Sequence, residues 1–181
     1  SAPLFADEDG PDDVPGSDAL AAAMGVDRDR PLVVAGSTGP GEEAMLVEEL
    51  DGLTDADGRA VQLMCVPRKP ERFDEAAAAM GGPVRRSDCP DGETREPAEA
   101  GRFLLDTMGE LNKAYALADV VVVGRSFSPQ WGSDMMEPIA LGKPTVIGPN
   151  TADFADMMAK LLAGGGIVQV SGRTEVRAAV A

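Results

Sequence analysis

From Pro31 onward the chain alternates short apolar runs with stretches of helical period, and no other feature limits its fold as strongly. The runs are Leu32–Ala35, Val61–Val66, Arg102–Leu105, Val120–Val123, Thr145–Ile147 and Ile167–Val170. A run that stays apolar at successive positions has no wet face. It suits a strand buried on both sides, as in a parallel sheet covered by helices. Between the runs the period changes. Phe154, Met157, Met158, Leu161 and Leu162 follow i, i+3, i+4, i+7, i+8, which is one face of a helix. Met108, Leu111, Tyr115 and Ala118 share a face of a preceding long helix. Leu46, Val47 and Leu50 do so after Gly41, with Glu42, Glu43, Glu48 and Glu49 on other faces. Repeated strand–helix units predict an α/β fold of three layers, α/β/α, with a largely parallel sheet of about six strands. A brief extended piece at Pro83–Arg86 stands outside that count.

The first thirty residues have a different character. Residues 1–16 are rich in Asp, Pro and Gly without a clear period, as a linker or loose arm would be. Asp18 to Met24 suits a short helix stopped by Gly25. The expected organisation is an arm, or interdomain linker, with this helix over 1–30, then one Rossmann-like domain over 31–181. A start of this kind predicts that a further domain belongs upstream. At 181 residues there is enough chain for one full core, whereas two would be crowded. The segment Ser87–Ala100, with Pro90, Gly92 and Pro97, is predicted to be a surface loop.

Composition removes several functions. The formal net charge is −15, and no basic stripe offsets it, which argues against nucleic acid or anionic lipid as a partner. There is no histidine. That excludes Ser-His-Asp and Cys-His chemistry and most catalytic zinc sites. Cys65 and Cys89 are too few for a disulfide framework or a zinc site. No metal and no cofactor are expected, and the nine methionines are assigned to gap-filling in the core. No run approaches the roughly 20 apolar residues of a membrane span, so a cytoplasmic location is expected.

Four loops fall at strand ends on what should be one edge of the sheet, where open α/β folds bind ligands. In Gly36-Ser37-Thr38-Gly39-Pro40-Gly41, three glycines and two hydroxyls precede a helix, as in an anion cradle. A plain strand-to-helix turn would look the same, and the ending of a Walker loop is missing. Arg68-Lys69 follows a strand and precedes Pro70, which is placed to open a helix. Such paired cations either neutralise a phosphate or balance nearby acids. Thr107 with Glu110 three residues on has the spacing of a capping box. The alternative is that the N–H groups of Met108 and Gly109 meet a base or phosphate, with Gly109 allowing close approach. Last, Glu137-Pro138 opens a short helix that Gly142 closes. Glu137 there is either an acid favoured at a helix start or a ligand of a ribose diol.

These residues in this order resemble the C-terminal half of bacterial 3-deoxy-D-manno-octulosonic acid (Kdo) transferases, over about residues 31–170. The markers are Gly36-Ser37-Thr38 with Gly41-Glu42-Glu43, Pro67-Arg68-Lys69-Pro70-Glu71-Arg72-Phe73 and Asp106-Thr107-Met108-Gly109-Glu110-Leu111. Tyr115-Ala116-Leu117-Ala118-Asp119-Val120, Gly124, Ser126-Phe127, Glu137-Pro138, Ala140-Leu141-Gly142-Lys143-Pro144 and Gly148-Pro149 complete the set. The resemblance implies a Rossmann-like domain, the donor-binding half of a GT-B glycosyltransferase of lipid A and lipopolysaccharide biosynthesis. It implies that Gly36, Ser37, Arg68 and Ser126 line the phosphate and sugar-acid end of a CMP-Kdo donor. Met108, Gly109 and Glu110 would then frame the cytidine, and Glu137 would bind the ribose. No catalytic residue is expected in this chain, because the family's general base is a glutamate of the N-terminal domain. That domain also takes the lipid A precursor, at the cytoplasmic face of the inner membrane. The chain departs from the family pattern at Gly39, Arg125, Ser133 and Asp134, which bears on the identity of the donor. Two other readings stand beside this one: a non-catalytic nucleotide-binding module, and a GT-B transferase using another nucleotide sugar.

Overall fold

The computed structural model describes residues 14–90, 92–124 and 143–147, together with the backbone of 167–169. The arm over residues 1–13 and the helices expected after Glu137 and around Phe154 lie outside the described residues. Seven strands form one sheet: β1 (Leu32–Thr38), β2 (Gln62–Pro67), β3 (Val84–Arg85), β4 (Arg102–Leu104), β5 (Val120–Val123), β6 (Thr145–Ile147) and β7 (Ile167–Gln169). Their order is β3-β4-β2-β1-β5-β6-β7, and every neighbouring pair is parallel. The α/β prediction is met. The strand beyond the expected six is β3 at the sheet's edge. Its two residues pair with Phe103 and Leu104 of β4, and such a short edge strand carries no period to read.

Among the described residues four helices cover the sheet: α1 (Ser17–Met24), α2 (Glu42–Leu50), α3 (Phe73–Ala79) and α4 (Leu111–Leu117). Successive residues of each strand feed opposite layers. On one face Leu32, Val34, Met64, Phe103 and Val121 pack with Leu20 and Met24 of α1 and Tyr115 of α4. On the other, Val33, Ala35, Leu63, Cys65 and Val122 pack with Met45, Leu46 and Leu50 of α2 and Ala76 of α3. Both sides of the strands are therefore dry, which is why their runs are continuously apolar.

Local signals account for several boundaries. Gly25 ends α1 in the left-handed region at φ 77°, and its N–H donates to the Ala21 carbonyl. Pro70 opens a 3-10 turn, Pro70–Arg72, that runs directly into α3.

Three expectations need correction. Helix α4 begins at Leu111, so Met108 is not on its face; Met108 is 68% exposed. Gly109, at φ 85°, turns the chain before the helix starts. Thr107 and Glu110 do not form a capping box. Glu110 is itself the N-cap residue and makes no side-chain cap bond, while the Thr107 hydroxyl donates to Glu110 Oε1 at 2.8 Å. Finally, the 87–100 segment is not simply a surface loop. Cys89 is buried, and the Arg95 and Ala98 N–H groups donate to the Ala22 and Gly25 carbonyls, strapping the segment across the end of α1.

Candidate functional site

The chain runs from β1 outward to β2 on one side and later crosses to β5 on the other, so the topological switch lies between β1 and β5. Ligands of open α/β sheets bind outside the carboxyl ends of the strands at such a point. A cleft of about 370 Å³ opens beside it. Ser37 lines it from the end of β1, Arg68 and Lys69 from the turn after β2, and Thr107, Met108 and Gly109 from the loop after β4.

The β1 end is built around unusual backbone. Ser37 has φ 55°, the left-handed region that a non-glycine residue seldom occupies, and the β1–β2 register shifts between Gly36 and Thr38. Two glycines hold this kink in place. A Cβ on Gly36 would lie 1.9 Å from the Tyr115 hydroxyl oxygen, so only glycine lets α4 sit against β1 here. A Cβ on Gly124 would lie 2.4 Å from the Gly36 carbonyl oxygen and 2.5 Å from Ser37 backbone atoms. Without it, the Gly124 N–H donates to that Gly36 carbonyl at 2.8 Å and closes β5 onto the kink. Gly36 thus acts beneath the cleft and is not among its lining residues.

Behind Ser37 the loop is fixed by two buried glutamates. Glu42 Oε1 accepts the Gly39 N–H at 2.8 Å. Glu43 accepts the Thr38 hydroxyl at 3.1 Å and pairs with the Arg72 guanidinium at 3.0 and 3.2 Å. The helical period placed both acids away from the apolar face of α2, yet Glu42 and Glu43 are only 3% and 1% exposed. The partner that makes this burial tolerable, Arg72, comes from a distant turn. An acid followed far along the chain by an arginine gives no local signal.

The opposite wall is tied differently. Asp106 accepts the Ser87 N–H and hydroxyl at 2.8 and 2.6 Å and pairs with Arg85 at 2.8 Å. Burial pushes the Asp106 carboxyl up, but the Ser87 bonds and Arg85 outweigh it and hold it below the ordinary range. The same balance applies at Glu110, where burial is outweighed by Thr107, Arg86 and Lys113. The Glu110 carboxylate is therefore drawn away from Arg68. It lines a second cavity, of about 690 Å³, with Arg86 and Lys113 and with Leu20 and Ala23 of α1. Thr107 lines both cavities.

Of the residues singled out from the sequence, the fold brings Ser37, Arg68, Met108 and Gly109 into one cleft, with Gly36 beneath it and Glu110 turned to its neighbour. Ser126 and Glu137 lie outside the described residues. Lys69 and Thr107 join the lining. Lys69 was visible as half of a cation pair, and Thr107 was obscured by its resemblance to a cap. Arg68 and Lys69 are both exposed, and neither has an ion-pair partner among the described residues. In a chain of net charge −15, two adjacent exposed cations without an ion-pair partner among the described residues, beside Ser37, are the feature of this cleft that suits an anion.

No protein-family model matches the chain. A solved structure does, with a TM-score of 0.69 and 31% identity: the C-terminal CMP-Kdo binding domain of WaaA from Acinetobacter baumannii. The match covers 81% of this chain and 76% of that one. The 3-deoxy-D-manno-octulosonic acid transferase of Bordetella pertussis is 36% identical over 141 residues, and that of Haemophilus influenzae 32% over 150. These matches take in 75% and 80% of this chain but only 32% and 34% of those proteins, so the chain spans about a third of the length of the curated relatives it matches.

Proposed function

This chain belongs to the family of 3-deoxy-D-manno-octulosonic acid transferases, as their C-terminal domain, and from that premise we propose that it binds the donor CMP-Kdo in the cleft between Ser37, Arg68 and Gly109. The observation that carries the proposal is the cation pair Arg68-Lys69, without an ion-pair partner among the described residues, facing that cleft at the carboxyl ends of the strands. A phosphodiester anion placed there meets guanidinium charge on one side and the Ser37 hydroxyl on the other. The cytidine is taken by the Met108-Gly109 turn, where glycine leaves the backbone bare, with Glu137 on the ribose; Glu110, turned to the neighbouring cavity, holds the turn through Thr107 instead of framing the base. Ser126 is assigned to the sugar acid.

Transfer requires more than this. An acceptor hydroxyl must be deprotonated beside the donor's anomeric carbon in a site that excludes water. We assign the base and the lipid A precursor to an N-terminal domain, acting at the cytoplasmic face of the inner membrane. The described part of this chain has no helix long and apolar enough to cross a membrane.

Calorimetry on the isolated chain tests the assignment. CMP is expected to bind weakly and in preference to UDP and GDP. Arg68→Ala should weaken CMP by about 1.5–3 kcal/mol, the value of a hydrogen bond to a charged group. Equal binding of all three nucleotides would point to a different donor. An unchanged Arg68→Ala would remove the phosphate from this cleft. Mixed with CMP-Kdo and lipid A precursor, the chain alone should release no CMP. Release that rises with acceptor concentration would show a complete active site within it.

A further inference from the structure

The two loops that face the anion are joined by one carbonyl. Thr38, the first residue beyond the kink in β1, accepts the Arg68 N–H at 3.2 Å and the Arg72 guanidinium at 3.3 Å on the same oxygen. The Thr38 hydroxyl donates to Glu43, which in turn holds Arg72 through both carboxylate oxygens. All three residues are at most 8% exposed. The network thus runs Arg68 backbone to Thr38, Thr38 to Glu43, Glu43 to Arg72, and from Arg72 back to Thr38. It spans the β1–α2 loop and the β2–α3 turn; Thr38, Glu43 and Arg72 lie behind the cleft, and only Arg72 reaches outward, to the exposed Glu75 at 3.3 Å.

We infer that Glu43 and Arg72 are a positioning pair for the phosphate end of the donor: they set the distance of Arg68 from Ser37 without contacting the ligand. The inference rests on the donor site proposed above. Three features support it. A buried ion pair is a poor source of net stability compared with apolar side chains of similar volume, so its retention calls for another benefit, and fixing a geometry is the best attested. The guanidinium is used as a planar fork, two N–H groups on the carboxylate and one also on the carbonyl, which a lysine cannot reproduce. And the carbonyl it shares belongs to the segment that sets both the Ser37 kink and the Arg68 backbone. A cation aimed at a diffuse anion loses much of its value when displaced by about an ångström.

The test needs variants that keep the core filled. Glu43→Leu with Arg72→Met removes both charges together, leaving no unpaired ion. Arg72→Lys keeps the charge and loses the fork. Two readouts are measured on the purified chain: amide exchange at Arg68, and the affinities of CMP and of cytidine. The Arg68 N–H is expected to exchange about tenfold faster in both variants, as one freed from its anchor. CMP affinity is expected to fall about tenfold and cytidine affinity less than about twofold, because only the phosphate end is displaced. Variants that stay folded with unchanged Arg68 exchange and unchanged CMP affinity would overturn the inference. So would equal losses for CMP and cytidine, the result of general loosening. If the wild-type chain binds no CMP, or Arg68→Ala leaves CMP unaffected, the donor site itself is wrong. The exchange at Arg68 then decides alone whether the pair holds this turn.

Discussion

Gly36 and Gly109 flank the same cleft, and each is a glycine for a different reason. Gly36 lies in the sheet under the Tyr115 hydroxyl, with no room for even a methyl group. Gly109 turns the chain at φ 85° with nothing within 4 Å of where its Cβ would be. The walls around them differ in the same way. On the Ser37 side the backbone is wedged by glycines and locked by an ion pair whose side chains are 10% and 1% exposed. On the Met108 side the loop hangs on ion pairs that water reaches more easily, such as Lys113–Glu110 at 31% and 15%. One wall is held by packing and a pair desolvated on both sides, the other by largely buried carboxylates whose cations Arg85 and Lys113 are 28% and 31% exposed. For the donor site proposed above the combination has a use, because a phosphate end would gain from rigidity and a base end from easier entry.

The largest effect should come from cutting the locked wall. Glu43→Ala leaves the buried Arg72 guanidinium with only the exposed Glu75 carboxylate, at 3.3 Å, and unfolding in denaturant should show a loss of about 3 kcal/mol. A loss near that of a surface pair would mean water already reaches Arg72, and the contrast between the walls would vanish.

Gly36→Ala comes next. Its methyl meets the Tyr115 ring as well as the hydroxyl, and overpacking of this kind should cost about 3 kcal/mol in thermal or chemical unfolding. Because the clash is with a rigid aromatic group, Tyr115→Phe in the same chain should recover only part of the loss. Full recovery would show that the hydroxyl alone sets the spacing of α4 from β1.

Gly109→Ala should be milder, at about 1–2 kcal/mol, since the only penalty is a left-handed backbone. A cost equal to that at Gly36 would reveal contacts to this turn that the open space around it does not suggest.

The smallest expected effect is a response to acid confined to one wall. Asp106 and Glu110 are both held below their ordinary values, so each adds stability that is present above the unfolded-chain value and is lost as pH falls through the lower folded one. The Ser87 amide, which donates to Asp106 and can be followed by NMR, should therefore shift and lose protection only below about pH 4. A transition at higher pH would mean that burial, not Ser87, Arg85 and Arg86, governs these carboxyls.

Much of this was legible in advance where a residue's surroundings repeat along an element. Val33, Val34 and Val121 lie in strands covered on both sides, and a run without polar gaps says so directly. Leu46 and Leu50 follow the helix period and are buried as it predicts. Ser37, Arg68, Met108 and Gly109 could be placed at one edge because parallel strands all end there. Elsewhere period misled. Met108 fits the face of α4 by count, but the glycine after it breaks the chain before the helix begins. Glu43 looks like a solvated acid, since polarity alone cannot show that an arginine will arrive from elsewhere.

By itself, then, the sequence determined the alternation of strand and helix, the parallel sheet, the stop at Gly25 and the edge on which the loops gather. Each of these depends on neighbours in the chain and on burial averaged over an element. Only the tertiary structure decided which glycine is wedged and which is open, that Glu110 turns away to Arg86, and that Glu43 meets Arg72 under Thr38. Those outcomes depend on single contacts between segments far apart in the chain. A buried charge needs one particular partner at one particular distance, and no local pattern of residue types carries that information.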